Sequence, residues 1–482
     1  MGNTKKNLMY NIIYQMLILF IPLITLPYVS RILGAEGIGI YSFSYSIVYY
    51  FMMFAMIGFN NYGNRTIAKS RDNKEKLTIT FKEIHFLQII TSSIMIIFFY
   101  IFIFFYNSEY KLIFLIQSIH VWSCMFDISW FFFGLEEFKI TVLRNTVIKI
   151  LSLISIFLFV KTKDDVWVYT MIMSLSILLS QLSLWPMVNK RIDNKLVFKK
   201  NIKKHISPCL KLFLPVIAVS VYRIMDKTMI GVFSNVEQVG LYENAEKIVN
   251  IPIAIITAFG AVMLPKMSNL YSRKECDEKA KSIIEKSLNA IMFLSFAMTF
   301  GLFCISNDFS ILFFGQSFGK LGSLIQYLSI TILFLAWGNV IRTQYLIPME
   351  MDKDYIISAF IGAFVNFGFN LFFIPKFGSA GACIGTVSSE FFVVMYQTIA
   401  VSKKLPIIQY IKNIIPFFIK AFIMFLIVYL LNYVSINPFV RIIVQVIIGV
   451  LIYALLNYKY LVNTINLSIF KKNVRKKTNV SI

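Results

Sequence analysis

Residues 84–105 read IHFLQIITSSIMIIFFYIFIFF, without one Asp, Glu, Lys or Arg. A run of this length is enough for a helix to cross the roughly 30 Å hydrocarbon core of a bilayer. It does not alternate polar with apolar side chains, as a barrel strand does. Backbone N–H and C=O groups in lipid must be satisfied within the segment, so the stretch is read as a helix.

The same signal recurs from Met9 to Tyr458, at 9–29, 39–59, 84–105, 111–133, 140–160, 166–188, 210–232, 241–263, 287–305, 322–347, 355–374, 381–401, 414–434 and 438–458. Nothing between these spans is long enough to fold as a sizeable water-soluble domain. Of 482 residues, 58% are hydrophobic and 15% charged, against about 25% charged in soluble domains. The fold class is an all-α integral membrane protein of about 14 transmembrane helices. Lys5 and Lys6 precede the run Leu8 to Val29, which exceeds a signal-peptide core and is read as a retained first helix.

The net charge of +23 is explained by topology rather than by nucleic acid. Lys and Arg concentrate in the N-terminus, the C-terminus and the even-numbered loops, which the positive-inside rule places in the cytoplasm. The basic stretches Lys190 to Lys204 and Lys471 to Lys477 would face anionic lipid head groups. The longest polar connections are expected at 189–209 and 264–286. Five scattered cysteines without a CxxC suit unpaired apolar positions. No HExxH, GxSxG or complete P-loop occurs, so no catalytic role and no cofactor or metal is assigned.

An internal repeat divides the chain. Leu19-Phe20-Ile21-Pro22-Leu23-Ile24 reads against Leu212-Phe213-Leu214-Pro215-Val216-Ile217, and Ala35-Glu36-Gly37-Ile38-Gly39-Ile40-Tyr41 against Val236-Glu237-Gln238-Val239-Gly240-Leu241-Tyr242. Six helices separate the copies, so both have the same orientation. That predicts two six-helix lobes in pseudo-two-fold relation about an axis along the membrane normal. The expected domains are 1–205, 206–405, and 406–482 with the last two helices and a basic tail. Transporters built this way hold substrate between the lobes and alternate access.

Charged residues within spans are costly and are functional candidates. Arg223, Asp226 and Lys227 share one helical face in span seven, which is expected to line the central cavity and to bind substrate. The alternative for them is a local, self-neutralising ion pair. Arg31 ends span one and Arg342 lies late in span ten; snorkelling to the interface competes with a cavity role for both. Guanidinium groups match phosphate oxygens bidentately and keep their charge when buried, so these arginines suit an anionic head group such as a pyrophosphate. Asp127 in span four, and Glu243 and Glu246 in span eight, are candidates for coupling an ion. Glu243 also has Lys247 four residues on, the order that favours local pairing. His120 is read as structural. Gly381 and Gly385 form a GxxxG that predicts a close helix contact.

Several motifs together resemble the polysaccharide transporter family, flippases for lipid-linked repeat units of O-antigen and capsule. They are Ser30-Arg31-Ile32-Leu33-Gly34-Ala35-Glu36-Gly37-Ile38-Gly39-Ile40-Tyr41, Tyr62-Gly63-Asn64-Arg65-Thr66-Ile67-Ala68, Asp127-Ile128-Ser129-Trp130-Phe131-Phe132-Phe133-Gly134, and Met225-Asp226-Lys227-Thr228 followed by Val239-Gly240-Leu241-Tyr242-Glu243-Asn244-Ala245-Glu246. The resemblance implies the fold of the multidrug/oligosaccharidyl-lipid/polysaccharide exporters. It implies movement of undecaprenyl-pyrophosphate-linked oligosaccharide from the inner to the outer leaflet of a bacterial cytoplasmic membrane, driven by an ion gradient or potential. It also implies pyrophosphate contacts at Arg31 and Arg223, and at Arg342. Membrane lipids and other polysaccharide-assembly proteins are the expected partners. An exporter of cationic compounds with the same fold is the first alternative. A membrane polymerase is the second, though no large outer loop is present to carry its chemistry.

Overall fold

The computed structural model describes residues 2–106, 109–193, 202–272 and 277–463. Its helices are α1 (Gly2–Met56), α2 (Phe59–Ala68), α3 (Lys74–Phe105), α4 (Lys111–Phe126), α5 (Ser129–Gly134), α6 (Phe138–Phe159), α7 (Val166–Leu182), α8 (Trp185–Val188), α9 (Lys203–Phe233), α10 (Val236–Tyr271), α11 (Asp277–Phe314), α12 (Leu321–Ser329), α13 (Thr331–Ile341), α14 (Asp352–Phe377), α15 (Ser379–Val401), α16 (Ile407–Leu430) and α17 (Pro438–Leu456). Among the described residues there is no strand. Among the described residues, twelve segments are helices long and apolar enough to cross a membrane. The first of these, Leu23–Ala68, carries parts of two expected spans. Span seven lies in α9, where several side chains fall outside the described residues. Each of the expected spans therefore falls on helix, with 111–133 divided between α4 and α5.

Two expected connections are largely helical, the first of them broken at one residue that lies between the expected spans 9–29 and 39–59. α1 is broken at Gly34, where φ is 68° and ψ −178°, a left-handed conformation that glycine adopts without a Cβ penalty. The connection expected at 264–286 is mostly helical, since α10 runs on to Tyr271 and α11 begins at Asp277. Hydropathy marks where lipid ends, whereas a helix continues while its backbone bonds can be made in water.

The helices form two compact units, one from residues 1–244 and 359–389, the other from 245–358 and 390–482. In the first unit the two copies of the repeat touch one another. A Cβ on Gly39 would lie 1.7 Å from the Val236 carbonyl oxygen, and a Cβ on Gly240 would lie 1.8 Å from that of Ala35. Gly39 aligns with Gly240 and Ala35 with Val236, so the contact is reciprocal, as a two-fold relation demands. It extends outward on both sides. Gly37 packs on Val166, while its counterpart Gln238 accepts hydrogen bonds from the Ser379 hydroxyl at 2.5 Å and backbone N–H at 3.2 Å.

The same unit holds a cluster of fully buried aromatics that joins α2, α3 and α5, including Phe59, Phe81, Trp130, Phe131 and Phe132. Gly63 seats the Trp130 indole and Gly134 seats Ile67. The chain leaves helical form at Asp127 and Ile128, between α4 and α5. The carbonyls freed there are met by Gln88, whose amide donates to Cys124 O at 2.6 Å and Asp127 O at 2.8 Å. Trp130 Nε1 in turn donates to Gln88 Oε1 at 3.0 Å. Broken backbone in a membrane protein needs such internal partners.

In the second unit α16 and α17 lie along α11. Arg441 on α17 is paired with Asp308 on α11 at 3.0 Å, and the Tyr453 hydroxyl donates to Phe293 O at 2.9 Å.

Candidate functional site

The sequence-predicted residues divide between the units. Arg31, Asp127, Arg223, Asp226, Lys227 and Glu243 lie in the first, Glu246 and Arg342 in the second. Arg31 and Arg223 are exposed, and Arg342 is half-buried in a π-helical turn, Arg342–Leu346.

Asp226 and Lys227 do not neutralise each other, as the local-pair reading supposed. Successive helical residues point about 100° apart, and each meets a different residue of α10. Lys227 Nζ pairs with Glu243 at 2.5 Å, both side chains being mostly buried (15% and 12% exposed). Asp226 is 2% exposed. Its Oδ2 accepts from the Tyr242 hydroxyl at 2.6 Å and the Thr386 hydroxyl at 2.8 Å. Its Oδ1 accepts from the side-chain amides of Asn366 at 2.9 Å and Asn370 at 2.6 Å. The carboxylate is thus surrounded by four neutral donors from α10, α14 and α15. No Lys or Arg among the described residues bonds to it.

The packing that admits this nest is glycine-made. A Cβ on Gly385 would lie 2.1 Å from Asn370 Oδ1, and one on Gly381 would lie 2.3 Å from Phe373 O. The GxxxG of α15 therefore brings it against α14, with the polar nest at the contact. Asn366 and Asn370 are four apart on α14 and share a face.

Burying a carboxylate is expensive unless hydrogen bonds compensate, and four donors to one anion do so. One acceptor is left over, because Asn370 Oδ1 is buried without a partner. The Ala382 carbonyl lies 3.0 Å from Thr386 Oγ1. Asn amides can present oxygen instead of nitrogen, so the nest can turn from a set of donors around an anion into a set of oxygens around a small cation.

Asp127 belongs to a separate cluster. Its Oδ1 accepts from the Ser129 backbone N–H at 2.9 Å and hydroxyl at 2.5 Å, holding the start of α5. His120 is buried between α4 and α7, with Nε2 3.1 Å from the Ser174 hydroxyl. Sequence reasoning singled out Asp226 but not Tyr242, Asn366, Asn370 or Thr386. The available signal was the Asn366/Asn370 pair in an otherwise apolar span.

Known proteins place this architecture. The chain is similar to a protein of Escherichia coli (strain K12) described as an O-antigen transporter, 24% identical over 364 residues, 74% of this chain and 87% of that one. A Shigella dysenteriae protein of the same description is 22% identical over 403 residues, 82% of this chain and all of that one. Among solved structures, the lipid II flippase MurJ in an inward closed conformation superposes with a TM-score of 0.75 at 16% identity, over 95% of this chain and 99% of that one. An inward-facing multidrug resistance MATE transporter reaches 0.62 at 13% identity, over 81% and 98%. These two share the fold. Residues 4–271 match the polysaccharide biosynthesis protein family, and with more than half of its length matched the chain belongs to that family.

Proposed function

We propose that this protein is a flippase that carries undecaprenyl-pyrophosphate-linked oligosaccharide units across the bacterial cytoplasmic membrane for capsule or O-antigen assembly. Two lobes, 1–205 and 206–405, alternate access, and both termini face the cytoplasm. A monovalent cation, Na⁺ or H⁺, drives the cycle by binding at Asp226. The observation that carries the transport reading is the Asp226 nest. A buried carboxylate held only by neutral, rotatable groups fits reversible cation binding, because nothing within it has to be displaced. A scaffold has no use for such a site, since an apolar contact there would be cheaper.

The cargo assignment is supported by the family and by relatives described as O-antigen transporters. Arg31, Arg223 and Arg342 contact the pyrophosphate, where guanidinium forks match phosphate oxygens. Lys227 exchanges Glu243 for phosphate during the cycle, and Glu243 with Glu246 then offers a second acidic station for the ion. The chain acts as a transporter and not as an enzyme.

The test is a liposome assay. Lipid-linked oligosaccharide is placed in both leaflets, a glycan-trimming enzyme is added outside, and an ion gradient is imposed. Trimming beyond half of the lipid supports the proposal, and trimming no greater than in empty liposomes overturns it. Resistance to cationic drugs without export of lipid-linked units would favour the exporter alternative.

A further inference from the structure

The first unit contains a cavity of about 220 Å³ beside the break between α4 and α5. At about 30 Å³ per water molecule, it holds the equivalent of about seven waters, close to the bulk of one pyranose ring and too little for two. Its lining mixes side chains of two kinds. Tyr49, with Met56 near it, supplies an aromatic and apolar wall. Asn60, Asn61, Asp127 and Gln181 supply the polar one. Among the described residues no Lys or Arg lines it.

The polar wall has bonding capacity left over. Asp127 spends Oδ1 on Ser129, and its Oδ2 makes no hydrogen bond among the described residues. Asn60 and Asn61 are exposed, and neither side-chain amide has a hydrogen-bond partner among those residues. Gln181 Oε1 lies 3.3 Å from the Ser129 hydroxyl and accepts from Arg144 at 3.4 Å, which leaves its NH₂ group for a ligand. Tyr49 continues an aromatic row on α1, with ring centroids 6.3 Å from Tyr45, itself 5.9 Å from Tyr41.

This combination selects a chemistry. The wall carries the Asp127 carboxylate and, among the described residues, no cation, Arg144 standing behind Gln181 rather than in the lining, so phosphate and sugar acids meet negative charge there. Carboxylate and amides together satisfy both the donors and the acceptors of vicinal hydroxyls, and an aromatic face covers the C–H face of a sugar ring. We propose that this cavity is a subsite for one uncharged hexose or N-acetylhexosamine ring of the head group. Asp127 Oδ2 accepts from its hydroxyls, the Asn60, Asn61 and Gln181 amides complete its bonds, and Tyr49 stacks on it. The inference deepens the flippase reading and rests on it for the origin of the ring. It assigns Asp127 to sugar recognition rather than to ion coupling.

The test uses the full chain in lipid nanodiscs and two free probes, methyl N-acetylglucosaminide and methyl glucuronide. Saturation-transfer NMR should detect the neutral glycoside and not the acidic one. Asp127→Asn keeps the Oδ1 bond to Ser129 while removing the charge, so it should fold and bind the neutral glycoside about tenfold more weakly, the value of one hydrogen bond to a charged group. Absence of transfer to the neutral probe, equal transfer to both, or an unchanged Asp127→Asn affinity would overturn the subsite. In liposomes the same substitution should lower the ratio of undecaprenyl-pyrophosphoryl-N-acetylglucosamine to bare undecaprenyl pyrophosphate moved, again about tenfold; an unaltered ratio overturns the subsite even if flipping is seen. If the wild type moves neither lipid, the flippase reading falls, and the glycoside binding decides the subsite by itself.

Discussion

Replacing Asp226 by Asn separates charge from structure, because the surrounding groups can remake every bond. An Asn at 226 can place its oxygen where Oδ1 now accepts from Asn366 and Asn370, at 2.9 and 2.6 Å. Its NH₂ group then faces the Tyr242 and Thr386 hydroxyls, which can rotate to accept. Four hydrogen bonds remain four, so the change in folding stability should stay within about 1 kcal/mol, a shift of a few degrees in Tm. The proposed cation site, however, loses its carboxylate charge. Flipping in liposomes should lose its response to an imposed Na⁺ or proton gradient while the purified protein keeps its melting behaviour. Asp226→Ala provides the contrast. It leaves the buried Asn366 amide without its acceptor, at about 1–3 kcal/mol, while Thr386 can turn to the Ala382 carbonyl, Tyr242 to the Thr386 hydroxyl and Asn370 to the Asn366 amide oxygen, so it should cost clearly more than Asp226→Asn. A well-folded Asp226→Asn protein that still responds fully to the gradient would refute the reasoning.

Gly240→Ala should destabilise the first unit by about 2 kcal/mol or more, since the new methyl meets the Ala35 carbonyl and backbone cannot yield as a flexible side chain does; Gly39→Ala should match it in a thermal melt. Lys227→Ala removes the ion pair with the mostly buried Glu243 and should destabilise the first unit, whereas adding Glu243→Ala should recover part of the loss, which a double-mutant cycle in denaturant reads. Burial holds the His205 imidazole below its ordinary pKa, against the pull of the Glu83 carboxylate. Its neutral form therefore contributes stability that is complete above about pH 6.5 and is lost as pH falls through the lowered folded value; His205→Gln should flatten melting temperature against pH in that window.

The spans were legible because a bilayer imposes one length and one polarity on every crossing segment. The repeat was legible too, and Gly39 and Gly240 show why its glycines recur: each occupies the point where the two copies touch backbone to backbone. The sequence did not reveal where helices break. The Asp127–Ile128 interruption lies inside an expected span, 111–133, and its rescue by Gln88 comes from another helix. Site partners were the least accessible. Helical spacing put Arg223, Asp226 and Lys227 on one face and left open what that face meets; the groups that hold Asp226 include Asn366 and Asn370, some 140 positions away. Spacing along one helix identifies which residues share a face, and the identity of the opposing face is a property of the tertiary fold.

The most direct measurement of the central claim is the outward transfer of lipid-linked oligosaccharide by the purified protein in sealed liposomes, read as the fraction of glycan trimmed from outside under an imposed cation gradient. The account predicts trimming well beyond the outer half for the wild type, and trimming near one half for Asp226→Asn. Trimming that stops at the outer leaflet for both proteins, with the gradient intact, would contradict it.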